Sequence, residues 1–128
     1  MGQGTTGGST GSGARSSPRT LVIGAGPVGL VSALLLRRRG FEVEIVDERL
    51  EPATQSRATD IHPRTLERLA ASGVTDDLVA AGRVVRRVVV HRGGRRLGAI
   101  TMGHPGSSHP FVLAVPQSTT EAILRHHL

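Results

Sequence analysis

The sequence contains no cysteine, tryptophan or tyrosine, and only two phenylalanines in 128 residues. Without cysteine the chain has no disulfide, no thiolate metal ligand and no cysteine nucleophile. So few aromatic rings also leave little on which a single-stranded nucleic acid could stack its bases. The formal net charge is +6, but the arginines fall in separate local groups, and we therefore expect no nucleic-acid partner.

Lysine and long apolar runs are absent as well. All 16 basic residues are arginines, a bias typical of GC-rich coding. No run approaches the roughly 20 apolar residues of a transmembrane helix, and the amino terminus lacks the apolar core of a secretory signal. We therefore expect a cytoplasmic protein with no membrane partner.

Catalytic side chains are equally hard to find. The six histidines include no pair at i, i+4 on a clear helix face, so no metal site is predicted. No nucleophile elbow or coupled Ser/His/Asp arrangement is present. We predict no catalytic residue in this chain, and expect any difficult chemistry to belong to a cofactor.

The informative stretch is residues 20–47, TLVIGAGPVGLVSALLLRRRGFEVEIVD. Its opening apolar run predicts a buried strand, and the apolar periodicity from Val28 predicts a helix that reaches Arg39 and stops at Gly40. The alternation from Phe41 predicts a second strand ending at Asp47. The fold class is therefore α/β, built on a Rossmann-like βαβ unit with glycines at the first crossover.

Each glycine of this turn has a role if a dinucleotide binds there. Gly24 permits the tight turn, Gly26 lets the backbone approach a pyrophosphate, and Gly29 lets the helix pack closely on the strand. The first amides of the helix would face the phosphates. Asp47, about 20 residues further on, can accept hydrogen bonds from ribose hydroxyls and would repel a 2′-phosphate. The alternative is an ordinary βα turn with a solvent-facing aspartate.

The flanking segments differ from this unit in composition. Residues 1–18 are rich in Gly, Ser and Thr and predict a flexible tail, which leaves 19–128 as one nucleotide-binding domain. The polar stretch 48–59 predicts a loop. Arg49 and Arg57 in this loop either reach the pyrophosphate or ribose as charged donors, or are solvated surface side chains.

Further along, the pattern predicts two helices and a small antiparallel hairpin. The first helix starts at Pro63 and ends at Gly73, and the second is capped by Thr75. Residues 84–90 form one strand, Gly93-Gly94 make the turn, and residues 97–102 return.

A last strand and helix complete the pattern. The strand spans residues 111–115, and a capping box over Ser118 to Glu121 opens the helix. Because the sequence stops at Leu128 inside that helix without a stop signal, we expect a fragment of a longer chain.

Three stretches together resemble the FAD-dependent monooxygenases of the aromatic-hydroxylase family, which have the para-hydroxybenzoate hydroxylase fold. They are LVIGAGPVGL with EIVDER, then SRATDIHPRTLERLAASGV, then VPQSTTEAILRHHL. The first is shared by many FAD and NAD proteins, whereas the second and third are much more specific. The resemblance covers residue 20 to the end and implies a partial FAD-binding domain.

The resemblance also implies roles for individual residues. The pyrophosphate turn corresponds to Gly24, Ala25, Gly26, Pro27, Val28 and Gly29. Asp47 falls on the family's acidic residue at the adenosine ribose; the arginine that often follows it is Glu48 here, with Arg49 one step later. Arg57 falls on an arginine near the pyrophosphate and flavin, and Gln117 on a glutamine at the ribityl and phosphate region.

The implied activity is hydroxylation of a small aromatic or polyketide substrate, with NAD(P)H as reductant and O₂ as the oxygen source. The family's Asp-Gly and Gly-Asp motifs are not found in these 128 residues. We therefore expect the chain alone to bind FAD weakly or not at all, and not to hydroxylate. Two other interpretations remain: an NAD-dependent dehydrogenase or reductase domain, and a non-catalytic nucleotide-binding module. Substrate, regiochemistry, NADH or NADPH preference and oligomeric state are not predicted.

Overall fold

The computed structural model describes residues 19–49 and 60–128. The predicted tail, most of the 48–59 loop and Arg57 lie outside the described residues. The elements, in chain order, are β1 (Arg19–Ile23), α1 (Pro27–Arg38), β2 (Glu42–Val46), β3 (Asp60–Ile61), α2 (Pro63–Ala70), α3 (Val74–Ala81), β4 (Arg83–Val85), β5 (Arg87–Arg92), β6 (Arg95–Thr101), β7 (Val112–Ala114) and α4 (Gln117–His126).

The predicted strand–helix–strand unit is confirmed. β1 and β2 pair in parallel, from Arg19 opposite Glu42 to Ile23 opposite Val46, and α1 joins them as the crossover. Gly40 ends the connection with φ of 85°, in the left-handed region that suits glycine.

The prediction that the first strand is buried is wrong for one of its faces. Leu21 is 55% exposed and Ile23 is 83% exposed, and Val46 on the neighbouring strand is 42% exposed. The other face of this sheet packs against α1, with Ile45 against the core. An apolar run of this length does not distinguish a strand covered on both faces from one covered on a single face, because only the packing partners differ.

The core lies between the four helices and β7. Its buried side chains come from α1, α2, α3, β7 with the residue after it, and α4; they include Leu30, Leu34, Leu66, Leu69, Val74, Leu78, Leu113, Val115 and Leu124. α4 packs on both α1 and α3. The last helix is therefore held against the first, which brings its side chains close to the glycine turn.

The strand predicted over residues 84–90 is two strands that belong to different sheets. β4 pairs antiparallel with β7, which also pairs with the two-residue β3, whereas β5 pairs with β6 in a separate hairpin. Arg86 lies at the break, and its carbonyl accepts the Met102 amide at 2.8 Å. A continuous β-branched run does not show where the chain changes partner. The hairpin itself, turning at Gly93-Gly94, is confirmed.

Both predicted side-chain caps are wrong, although the helices are present. Gly73 is the N-cap of α3, and the Thr75 hydroxyl, inside the first turn, donates to the Leu66 carbonyl at 2.7 Å. Pro116 is the N-cap of α4, which places Ser118 inside the helix. The Thr75 hydroxyl thus makes a buried contact in place of a cap, and α4 begins one residue before Ser118, so Ser118 cannot cap it.

Within residues 19–49 and 60–128, no helix is long and apolar enough to cross a bilayer.

Candidate functional site

The glycine turn between β1 and α1 is held against the end of β2. The Gly24 amide donates to the Val46 carbonyl at 2.7 Å. Gly24 has φ of 104°, a backbone conformation that L side chains rarely adopt. The prediction that Gly24 serves the tight turn is confirmed by this geometry.

Gly29 is required by packing. A Cβ atom built on Gly29 would lie 1.8 Å from the Gly24 carbonyl oxygen and 2.9 Å from the Gly24 carbonyl carbon. Both are backbone atoms, so no side-chain rotation could relieve the overlap. The first turn of α1 therefore packs against the loop at a distance that only glycine permits, as predicted.

Gly26 differs from the other two glycines of the turn. It has φ of −76° and ψ of 179°, which any residue can adopt. A Cβ atom at this position would meet no atom of residues 19–49 or 60–128 within 4 Å. Neither the backbone conformation nor the packing of the described chain requires glycine here, and no described residue fills the space in front of the Gly26 Cα.

The start of α1 presents backbone amides at the same place. The first intrahelical bond runs from the Leu30 amide to the Gly26 carbonyl at 2.9 Å, so the Val28 and Gly29 amides precede it. Pro27 occupies the first helical turn and contributes no N–H. The side chain of Val28 is 81% exposed beside these amides. Amides at a helix N-terminus are suited to binding an anion.

Asp47 points from the end of β2 into the turn. One carboxylate oxygen, Oδ2, accepts the Ala25 amide at 2.6 Å. The other, Oδ1, accepts the Arg49 amide at 2.8 Å and the Arg49 Nε at 3.2 Å. The Ala25 amide bond, followed by the bonds from Arg49, holds the pKa of Asp47 far below its ordinary value. The carboxylate is therefore ionised at neutral pH, with its side chain 15% exposed.

Three donors occupy three of the roughly four acceptor positions of the Asp47 carboxylate. Among the described residues no fourth donor is bonded to Asp47, which leaves room for a donor such as a ribose hydroxyl. Asp47 is therefore bonded into the turn rather than facing solvent, and its role at a ribose stays a prediction.

Arg49 lies against Asp47 with its side chain 47% exposed. Its hydrogen bond to Asp47 raises its pKa, and the charge of Glu121 contributes in the same direction. Arg49 therefore lies beside Asp47 at the end of β2, and its predicted contact with a pyrophosphate or ribose stays a prediction. Glu48 is exposed.

Gln117 is the first residue of α4, and its amide nitrogen donates to Glu121 Oε1 at 2.8 Å. Arg125 Nη2 lies 3.4 Å from Glu121 Oε2 and donates to the Ala25 carbonyl at 3.1 Å. The last helix therefore reaches the glycine turn through Arg125. Of the predicted site residues, the described structure gathers the turn, Asp47 and Arg49 at one place.

Glu121 and Arg125 were missed as site residues by the sequence analysis, which assigned Glu121 to a capping box. The spacing Gln117, Glu121, Arg125 is i, i+4, i+8, and this puts all three on one face of a helix. That signal was available in the sequence. The sequence does not show which residue this helix face contacts, because Ala25 lies 100 residues before Arg125.

Among the described residues there is no group of three or more His, Asp or Glu side chains that could hold a metal ion. One of the described histidines pairs with a carboxylate on another helix: His127 Nε2 lies 2.7 Å from Asp77 Oδ2.

Several known proteins resemble this chain in sequence and in fold. The chain is 45% identical over 113 residues to 6-methylpretetramide 4-monooxygenase of Streptomyces rimosus, covering 87% of this chain and 20% of that protein. It is 36% identical over 109 residues to a rifampicin monooxygenase of Streptomyces venezuelae, covering 84% and 22%. The anhydrotetracycline hydroxylase OxyS of Streptomyces rimosus superposes with a TM-score of 0.71 at 30% identity, covering 86% of this chain and 22% of that one.

The chain thus spans about a fifth of the length of the curated relatives it matches. The model of the family described as FAD binding domain matches residues 18–128. These matches confirm the predicted Rossmann-like α/β fold and FAD as the cofactor of the family. With the glycine turn, the helix amides and the ionised Asp47 in place, the chain belongs to the FAD binding domain family.

Proposed function

We propose that the chain forms the adenosine-diphosphate-binding part of the FAD site of a flavin-dependent monooxygenase. The whole enzyme would hydroxylate an aromatic or polyketide substrate with O₂ and NAD(P)H. The relatives named above, a 6-methylpretetramide monooxygenase and a rifampicin monooxygenase, support this substrate class.

The observation that carries the proposal is the open space at Gly26. Gly24 and Gly29 are explained by the fold of the chain itself, through a positive φ and a 1.8 Å approach. Gly26 is explained by neither. A ligand that lies against the bare backbone requires glycine at such a position, and a pyrophosphate at a helix N-terminus is the ligand that this arrangement suits.

The Asp47 carboxylate supports an adenosine ribose beside that pyrophosphate. Its low pKa keeps it ionised over the physiological range, so it is always an acceptor. A 2′-phosphate would place like charge against it, which favours FAD or NAD over NADP at this position. NAD(P)H, as the reductant of the whole enzyme, would therefore act elsewhere.

FAD, when bound, supplies the redox and oxygen chemistry. The residues of this chain bind and orient the adenosine end. The Val28 and Gly29 amides would donate to phosphate oxygens, Asp47 would accept from the ribose, and Arg49 would provide positive charge beside them. None of these groups exchanges a proton with a substrate.

NMR titration of the ¹⁵N-labelled chain tests the proposal, because it detects weak binding. FAD and ADP should shift the amide signals of Gly26, Val28 and Gly29 with a Kd of about 1 mM or below, equivalent to roughly −4 kcal/mol or stronger. NADP should bind at least ~10-fold more weakly than NAD because of its 2′-phosphate.

Two results would overturn the proposal. The first is the absence of shifts at the turn with FAD and ADP at ~5 mM, a concentration that populates a 1 mM site to more than half. The second is a set of shifts that maps to another surface. NAD binding much tighter than FAD would favour the dehydrogenase interpretation instead.

A further inference from the structure

Glu121 is a buried carboxylate close to the nucleotide site. Its side chain is 1% exposed, and it shares α4 with Leu124 of the core. Taking a carboxylate out of water is costly unless it is paired and hydrogen-bonded, and an apolar residue of similar volume is often as stable or more so. Packing alone therefore does not account for a glutamate at this position.

The two oxygens of Glu121 are both used by side chains of its own helix. Oε1 accepts Gln117 Nε2 at 2.8 Å, and Oε2 pairs with Arg125 Nη2 at 3.4 Å. The charge of Glu121 also acts on Arg49, on the far side of the turn. Glu121 thus contacts Arg125 and Gln117, the predicted FAD-binding glutamine, within its own helix.

Arg125 transmits this constraint to the turn. The same Nη2 that pairs with Glu121 donates to the Ala25 carbonyl at 3.1 Å, while the Ala25 amide is held by Asp47 at 2.6 Å. The peptide units before and after Ala25 are therefore both tied to charged side chains.

Fixing the Ala25 carbonyl also fixes the neighbouring amide. In a planar trans peptide the carbonyl and the following N–H point in opposite directions, and the described chain has no cis peptide. With the Ala25 oxygen directed at Arg125, the Gly26 N–H is directed away from α4. The contact between Arg125 and the Ala25 carbonyl thus fixes the direction of the Gly26 N–H.

We propose that Glu121 is a positioning residue for the diphosphate of FAD, holding Arg125 on the Ala25 carbonyl so that the glycine turn is preorganised before the nucleotide binds. The proposal rests on the function proposed above. Preorganisation raises affinity because less ordering remains to be done on binding. Glu121 does not touch the nucleotide in this account and acts through Arg125.

The test is a double-mutant cycle on the chain, with Glu121→Gln, Arg125→Gln and the double variant. The exposed α4 residue Ser118, changed to Ala, is the matched control. FAD affinity is measured by NMR titration, and the Gly26 amide shift of the free chain is the second readout. Each single variant should move the free Gly26 signal and raise the FAD Kd by ~10-fold. The double variant should be no worse than either single one, and Arg125→Lys should recover part of the loss.

The outcomes separate this inference from the proposed function. If the unaltered chain shows no shifts at the turn with either FAD or ADP, the proposed function fails and this role fails with it. If the chain binds FAD but Glu121→Gln binds equally well, only the role of Glu121 is overturned. Additive losses in the double variant would also overturn it, since two residues that act through one contact cannot lose it twice. Should Glu121→Gln unfold, Arg125→Gln alone decides, through the free Gly26 shift and the FAD Kd.

Discussion

Replacing Gly26 with alanine should weaken nucleotide binding strongly without disturbing the fold. Alanine adopts φ of −76° and ψ of 179° freely, and its Cβ would meet nothing within 4 Å. Alanine restricts the unfolded chain more than glycine does, which stabilises the folded state by about 0.4–1 kcal/mol. Alanine is also a poorer N-cap than glycine, which costs up to about 1 kcal/mol. These effects nearly cancel, so the Tm of the free chain should change by no more than ~4 °C.

The effect on binding should be large by comparison. The added methyl group would occupy the space in which the pyrophosphate approaches the backbone. Forcing a methyl group into a close contact costs about 1–3 kcal/mol, which corresponds to a ~10–100-fold increase in the Kd for FAD and ADP.

Gly29→Ala is the matched comparison, three residues further along the same turn. Its Cβ would overlap the Gly24 carbonyl oxygen at 1.8 Å, so the start of α1 must move. Alanine is the better helix former by about 1 kcal/mol, but overpacking against a fixed backbone costs as much or more. We expect a clear fall in Tm together with a loss of nucleotide binding.

Thermal unfolding, monitored by circular dichroism, measures the effect on stability. NMR titration with ADP measures the effect on binding. The expected pattern is a folded Gly26→Ala chain that binds weakly, and a destabilised Gly29→Ala chain. If Gly26→Ala binds ADP as well as the unaltered chain does, the open space at Gly26 is not where the pyrophosphate lies, and the reasoning is refuted.

Three further predictions concern acid stability, the core and activity. Because the folded pKa of Asp47 lies below its ordinary value of 3.8, its stabilising contribution is present above about pH 4 and is lost as the pH falls through the folded value. The Tm difference between the unaltered chain and Asp47→Asn should therefore shrink from pH 7 to about pH 2.5, with exposed Glu44→Gln as control; a constant difference would contradict this. Leu66→Ala, at 0% exposure, should cost about 2–5 kcal/mol in urea unfolding, and a cost below ~1 kcal/mol would mean that the core repacks around the site. Finally, the 128-residue chain should show no FAD-dependent NADPH oxidation above free flavin, because the family's Asp-Gly and Gly-Asp motifs are not found in it; measurable turnover would refute this.

The βαβ unit and its glycine turn could be predicted from the sequence because their signals are local. Apolar periodicity and glycine punctuation each concern residues a few positions apart, and they located α1 to within a residue at each end. Asp47 could be placed in the same way, since the end of a parallel strand is adjacent to the first crossover.

The features that could not be predicted depend on contacts distant in sequence. The exposure of Leu21 and Ile23 is set by what does or does not pack on that sheet face, which periodicity does not reveal. The division of residues 84–90 between two sheets depends on pairing with Val112–Ala114 for one half and with Arg95–Thr101 for the other.

The role of Glu121 shows how a local pattern can mislead. A serine followed three residues later by a glutamate fits a capping box, but the helix begins at Gln117 and the glutamate points inward. Glu121 instead bonds Gln117 and Arg125 at i, i+4 spacing along α4, and Arg125 in turn contacts Ala25.

That contact also bears on the order of events during synthesis. The two residues are 100 positions apart, so a ribosome completes the β1–α1–β2 unit long before Arg125 leaves the exit tunnel. Closing such a long loop carries an entropic cost that is met late in folding. The nascent chain therefore carries a glycine turn whose carbonyl is not yet anchored, and nucleotide capture should lag behind the formation of the first sheet.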